Sequence, residues 1–168
     1  LVITGLHHMS NAIDLQLIAD FGGTNLWPMI ALSNIAQGSA VLAVIFLHRG
    51  NEKEEQVSIP AAISCYLGVT EPAMFGINIK YIYPFVAAMI GSGIAGLVAT
   101  TFNVMANSIG VGGIPGFLSI QTDSMAMFIV CMAIAIVVPF LLTVLFEKKQ
   151  LFAPKGEVED APVIQTQK

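Results

Sequence analysis

Two long stretches without a charged side chain limit what this chain can fold into. Residues 81–121 contain no Asp, Glu, Lys or Arg, and residues 124–146 contain none again. Soluble domains carry about a quarter charged residues. Here the charged share is 11%, the hydrophobic share 55% and the mean hydropathy +0.78. Apolar runs of this length belong in a bilayer, where an unpaired charge is costly. A helix over residues 124–146, at about 1.5 Å per residue, runs roughly 34 Å and crosses a bilayer with modest tilt. Pro139 is expected to kink it, which membrane helices tolerate. Lys148 and Lys149 follow at once, and a basic end of this kind predicts a cytoplasmic C-terminus.

Further spans are predicted over residues 81–102 and 26–47. The first has a small-residue centre, Gly91-Ser92-Gly93-Ile94-Ala95-Gly96, which lets a neighbouring helix come close. Static packing is the commoner meaning of such a centre, a sliding seam the rarer one. The second carries Ser33, Asn34, Gln37 and Ser39 in its middle, so that face is expected to turn toward protein or a water-filled cavity. Residues 48–56 form a charged connection that needs water. Residues 57–78 are interrupted by Pro60, Gly68, Pro72 and Gly76, and residues 107–121 by Gly110, Gly112, Gly113, Pro115 and Gly116. Irregular backbone at membrane depth survives only inside protein or along a cavity, and such broken segments point to a transporter's binding site. The fold class predicted is therefore an all-α polytopic membrane protein, with transmembrane helices plus re-entrant hairpins. Residues 151–168, with Pro154, Gly156, Pro162 and several acids, read as a solvated linker or tail.

Other classes are excluded by what the chain lacks. A net charge of −4 offers no basic face for nucleic acid. Cys65 and Cys131 lie in apolar runs with neither CxxC nor metal spacing, and read as small buried hydrophobes. No Walker, GxSxG or dinucleotide fingerprint is present, and no His/Cys/Asp cluster supports zinc; no cofactor or metal is expected. Leu1 stands where an initiator Met would, without a signal-peptide pattern, so the chain reads as a piece that begins inside a larger protein.

Glu71 is the only acid between residues 56 and 121. An ionisable group at membrane depth costs a few kcal/mol at least and by default marks function. Gly68 permits unusual backbone geometry, and Pro72 biases Glu71 away from helical angles. The expectation is a carboxylate on a bent loop, aimed into a cavity, where it can accept two or more hydrogen bonds from sugar hydroxyls. The bland alternative pairs it with Lys80 or places it at a broken helix end. His7 and His8 form an opening pair with no metal-like partner. Asp14 and Gln16 lie in an amphipathic stretch expected to end at Gly22-Gly23. Trp27 beside Pro28 reads as an interfacial anchor, with sugar stacking the less favoured role. His48 reads as an interface residue.

The run Gly68-Val69-Thr70-Glu71-Pro72 resembles the G-[IV]-T-E-P signature of the membrane-embedded enzyme IIC of bacterial phosphoenolpyruvate-dependent sugar phosphotransferase systems, in the glucose–sucrose–trehalose superfamily. Thr4-Gly5-Leu6-His7-His8 resembles that family's T-G-x-H-[HQ] pattern, upstream as expected. The resemblance covers residues 1–146, the C-terminal, substrate-binding half of the component, with 147–168 as cytoplasmic tail or linker. The stretches at 27–40 and 105–116 are most similar to the trehalose-specific branch, with sucrose permeases close behind.

This resemblance implies a multi-pass protein of the bacterial inner membrane that imports a disaccharide by group translocation. A phosphocysteine on an enzyme IIB domain, charged by an enzyme IIA, would phosphorylate the sugar 6-hydroxyl. Glu71 would hold sugar and help deprotonate the attacking hydroxyl, with His7 or His8, Thr70 and Asn78 lining the same site. As a protein-phosphocysteine–sugar phosphotransferase the full permease would be an enzyme, while this piece alone would be inactive. The IIB domain and the N-terminal half, through which the family dimerises, are not in this chain. Two other readings stay open on residues alone: an ion-coupled secondary transporter with Glu71 as coupling site, and a channel or structural membrane subunit.

Overall fold

The computed structural model describes residues 7–50 and 52–149. Among them the long elements are all helical: α1 His7–Phe21, α2 Leu26–Leu47, α3 Glu52–Tyr66, the short α4 Glu71–Ala73 and α5 Ile79–Tyr81 on either side of a π-helical turn at Met74–Asn78, then α6 Tyr83–Thr101 and α7 Met125–Lys148. Strand pairing among the described residues is limited to isolated bridges of Ala106 with Thr24 and Ile120. Three helices among the described residues are long and apolar enough to cross a membrane: α2, α6 and the stretch Thr122–Lys148 that contains α7. The all-α membrane architecture expected from the charge-free runs is the one found.

α2 is the centre. The apolar part of α2 is 67% buried, against 33% and 28% for the other two spans, and α6 and α7 pack on it and on each other. Its buried Ala31, Leu32 and Ile35 meet Ala95 of α6 and Phe128 and Cys131 of α7. The small-residue centre of α6 works mainly through one position. A Cβ built at Gly91 would lie 2.3 Å from Cγ of Pro139, whereas at Gly93 it would meet nothing. Gly91 is therefore the notch that receives the Pro139 ring, and α7 continues through that proline to Lys148.

Contacts at the helix ends fix direction. Asn25 Nδ2, before α2, donates to Asn103 Oδ1, after α6, at 2.8 Å. At the opposite end the two ring nitrogens of His48 each lie 2.9 Å from a carboxylate, Glu54 of α3 and Glu147 of α7, and Tyr83 of α6 donates to Glu147 at 3.1 Å. α2 and α7 thus run parallel, and α6 runs against them. Lys80 Nζ lies 3.7 Å from Glu54, so the segment 52–81 starts and ends at the His48 end. α3 has 15 residues, about 22 Å of helix and too short to cross. It goes in, turns at 67–70 and comes back. Residues 102–124 leave and return at the other end, held by bonds of Thr24 to Ala106 and of Asn107 to Ser119. Both predicted re-entrant segments are present, entering from opposite ends of the bundle.

Two local expectations are corrected. The charged run 52–56 is the first turn of α3 rather than a connection, because Glu52, Glu54 and Glu55 suit the positive end of a helix. Glu71 opens a helix rather than sitting on a bent loop; Pro72 is tolerated in a first turn, where its missing N–H is not needed.

Candidate functional site

The two re-entrant tips meet backbone to backbone. Gly68 has φ +100°, and a Cβ on it would fall 2.8 Å from the Gly112 nitrogen; one on Gly113 would fall 1.9 Å from the Tyr66 carbonyl oxygen. Only glycine allows this approach and that left-handed geometry together. Asn34 of α2 pins the junction, donating from Nδ2 to the Gly112 carbonyl at 2.7 Å and, more loosely, to that of Gly68 at 3.4 Å. Tyr66 is steadied in turn by Ser39, hydroxyl to hydroxyl at 2.9 Å. The polar middle of α2 faces protein and a cavity, as expected.

Against this junction opens a pocket of about 770 Å3. Thr70 and Glu71 line it from the first hairpin and Gly110 to Gly112 from the second; Trp27, Ser33, Asn34 and Gln37 come from α2, and Ser10 and Asn11 from α1. Met29, Met74, Phe85 and Met89 supply apolar wall. A mostly apolar concavity with a few converging polar groups is the usual form of a small-molecule site. Glu71 is partly exposed there, and Cys65 behind it is fully buried. Such a thiol is packing material and not a nucleophile.

Of the residues expected at the site, Thr70 and Glu71 are brought together on the pocket wall. The side chains of His7 and His8 lie outside the described residues; Ser10 and Asn11, on the next turn of α1, line the pocket. Asn78 is instead fully buried and outside the lining. In an α-helix a residue seven places after Glu71 shares its face. The π turn at Met74–Asn78 breaks that register. Trp27 is also corrected: at 6% exposure it is no interfacial anchor but part of the pocket wall and core. The spacing of Trp27, Ile30, Asn34 and Gln37 along one helix face was the signal that could have found it. No group of acids, histidines and cysteines able to hold a metal occurs among the described residues.

Comparison with known proteins decides the family. The sequence profile described as "Phosphotransferase system, EIIC" matches residues 1–93. The chain belongs to the EIIC family. Over 143 residues it is 59% identical to the PTS system trehalose-specific EIIBC component of Escherichia coli (strain K12), covering 85% of the chain and 30% of that protein. The trehalose-specific EIIBC component of Bacillus subtilis (strain 168) is 53% identical over 141 residues, 83% of the chain and 30% of the relative. The sucrose-specific EIIBC component of Pasteurella multocida (strain Pm70) is 45% identical over 152 residues, 89% and 32%. The EIIC chain therefore spans about 30% of the length of these curated relatives. No solved structure matches it.

Proposed function

We propose that this EIIC chain is the sugar-binding half of a phosphotransferase-system permease for trehalose, and that the pocket between the two hairpin tips holds the sugar. One observation carries the reading: the lone acid of the apolar region, Glu71, lines a pocket where two oppositely entering segments meet, in a chain 59% and 53% identical to two trehalose-specific components. Thr70 lines the same wall, and His7 or His8 would add a polar contact from the start of α1.

In this proposal the sugar 6-hydroxyl attacks the phosphorus of a phosphocysteine on an enzyme IIB domain. The P–S bond breaks, the P–O bond forms, the thiolate leaves, and Glu71 accepts the hydroxyl proton. Neither Cys65 nor Cys131, both fully buried, can be that donor. The phosphate comes from an enzyme IIA through IIB. The protein would lie in the bacterial inner membrane with the His48 end and the tail from 147 onward in the cytoplasm. It would dimerise through the half this chain does not contain.

The test is phosphoenolpyruvate-dependent uptake in cells carrying the full-length permease, offered trehalose, sucrose and maltose. Trehalose is expected to enter fastest and to appear as its 6-phosphate. Unphosphorylated product, or uptake driven by an ion gradient, would select the ion-coupled reading instead. Glu71→Gln keeps the shape and removes the base; it is expected to lower phosphorylation by about a hundredfold or more, the range of a lost general base. A wild-type rate in that variant would remove Glu71 from the site.

A further inference from the structure

The hydrophobic core is in two parts. The larger part joins α2 to α6, α7 and the second hairpin. The smaller part holds the first hairpin, residues 52–81, to the C-terminal half of α2. To it the hairpin contributes Ala61, Ala62, Cys65, Ala73 and Ile77, of which only Ile77 is large. Burial stabilises in proportion to apolar area, so small side chains hold weakly. Cys65 is sealed by α2, since a Cβ on Gly38 would lie 3.0 Å from the Cys65 Cβ. The first hairpin is a body laid on the frame, with its own thin seam.

Both roots of that hairpin carry left-handed backbone. Gly50, before α3, has φ +105°, and Ile82, between α5 and α6, has φ +62° with ψ −50°. Glycine takes such angles freely. A β-branched residue there is strained, and strain of this kind gathers at segments that switch.

Beside the roots runs a chain of polar side chains, one from each helix that reaches this end. Lys80 of α5 meets Glu54 of α3 at 3.7 Å, and Glu54 meets His48 at 2.9 Å. His48, at the end of α2, meets Glu147 of α7 at 2.9 Å, and Tyr83 of α6 donates to Glu147 at 3.1 Å. Within this chain the His48–Glu54 link is the one that joins hairpin to frame. An ionised carboxylate only accepts, so His48 serves both acids with a proton on each ring nitrogen. His48, Glu54 and Glu147 are all partly exposed, so water can compete for the link.

From the thin seam, the strained root and this chain we infer that the first hairpin is a hinged gate, pivoting on Gly50 and Ile82 and latched by His48 on Glu54. Opening carries Thr70 and Glu71, and with them one wall of the pocket, away from α2 and uncovers Cys65. Cys131 lies in the larger part of the core and stays covered.

The experiment treats purified full-length permease with N-ethylmaleimide, without sugar, and reads labelling at Cys65 and Cys131 separately by peptide mass spectrometry. Both thiols are fully buried, so each reports an opening. His48→Gln removes the charge and offers N–H donors from one nitrogen only. It is expected to speed labelling of Cys65 about tenfold, the worth of one hydrogen bond to a charged group, and to leave Cys131 unchanged. His48→Arg, which keeps the charge and several donors, should label Cys65 more slowly than His48→Gln does. Should His48→Gln fail to accumulate in the membrane, Glu54→Gln opens the same link from the hairpin side, with the same outcomes.

Hydrogen exchange tells a gate from local melting. The α3 amides of His48→Gln should exchange as slowly as those of wild type, and faster exchange there would overturn the hinge. An unchanged Cys65 would mean no latch, and equal rises at Cys65 and Cys131 a generally loosened bundle; either overturns the inference. With no sugar present, each outcome is independent of what the pocket binds.

Discussion

At the scale of single residues the α1–α2 corner shows how a buried acid is used away from the pocket. Asp14 is fully buried and accepts a hydrogen bond from Thr24 Oγ1 at 2.5 Å; the same Thr24 oxygen accepts from the Leu26 N–H at 3.1 Å, at the start of α2. Burial raises the Asp14 carboxyl above its ordinary 3.8, with the Thr24 hydroxyl and the Trp27 amide opposing. An acid whose folded pKa is raised binds its proton more tightly when folded, so its contribution to stability is fully present below 3.8 and is lost as pH rises through the folded value. Asp14→Asn keeps an acceptor for Thr24 and removes this titration. Thermal unfolding of the purified permease across pH 4 to 8, as a round window around ordinary carboxyl values, should show wild type gaining stability on acidification relative to the variant. Parallel curves would assign Asp14 no such part. The acid itself was plain in the sequence, but its burial was not: an amphipathic stretch does not say which polar side chain the next helix will cover.

At the scale of elements, what was legible and what was not divides along physical lines. α2 has the bounds its apolar run predicts, because a span is set by bilayer thickness and by where charge returns. The two interrupted segments were legible as re-entrant from their Gly and Pro spacing. Their meeting was not, since Gly68 against Gly112 is a contact between residues far apart in sequence, made by backbone that has no pattern to read. His48 was read as an interface residue, yet it joins α2 to α3 and α7 through Glu54 and Glu147. Those partners are distant, and no local rule names them. The Gly91 notch yields a prediction at this scale. Gly91→Ala puts a methyl into the Pro139 ring, and overpacking of this kind costs about 1–3 kcal/mol. A lowered thermal midpoint is expected for Gly91→Ala and an unchanged one for Gly93→Ala, where space is open. Equal midpoints would mean that α6 and α7 do not rest on that notch.

Over the whole molecule, the arrangement is a three-helix frame with two half-crossings that stop at one junction. Neither hairpin crosses alone, and their tips meet at the glycine backbones at 68, 112 and 113, tied by the Asn34 amide. In the proposed permease such a junction would also serve as an electrical insulator. A membrane that holds a proton gradient needs such a contact shut to ions. Gly113→Ala, whose methyl would strike the Tyr66 carbonyl, should prise the tips apart. In proteoliposomes of the full-length permease, that variant is expected to dissipate an imposed pH gradient faster than wild type. A gradient held equally long by both would place the insulation elsewhere.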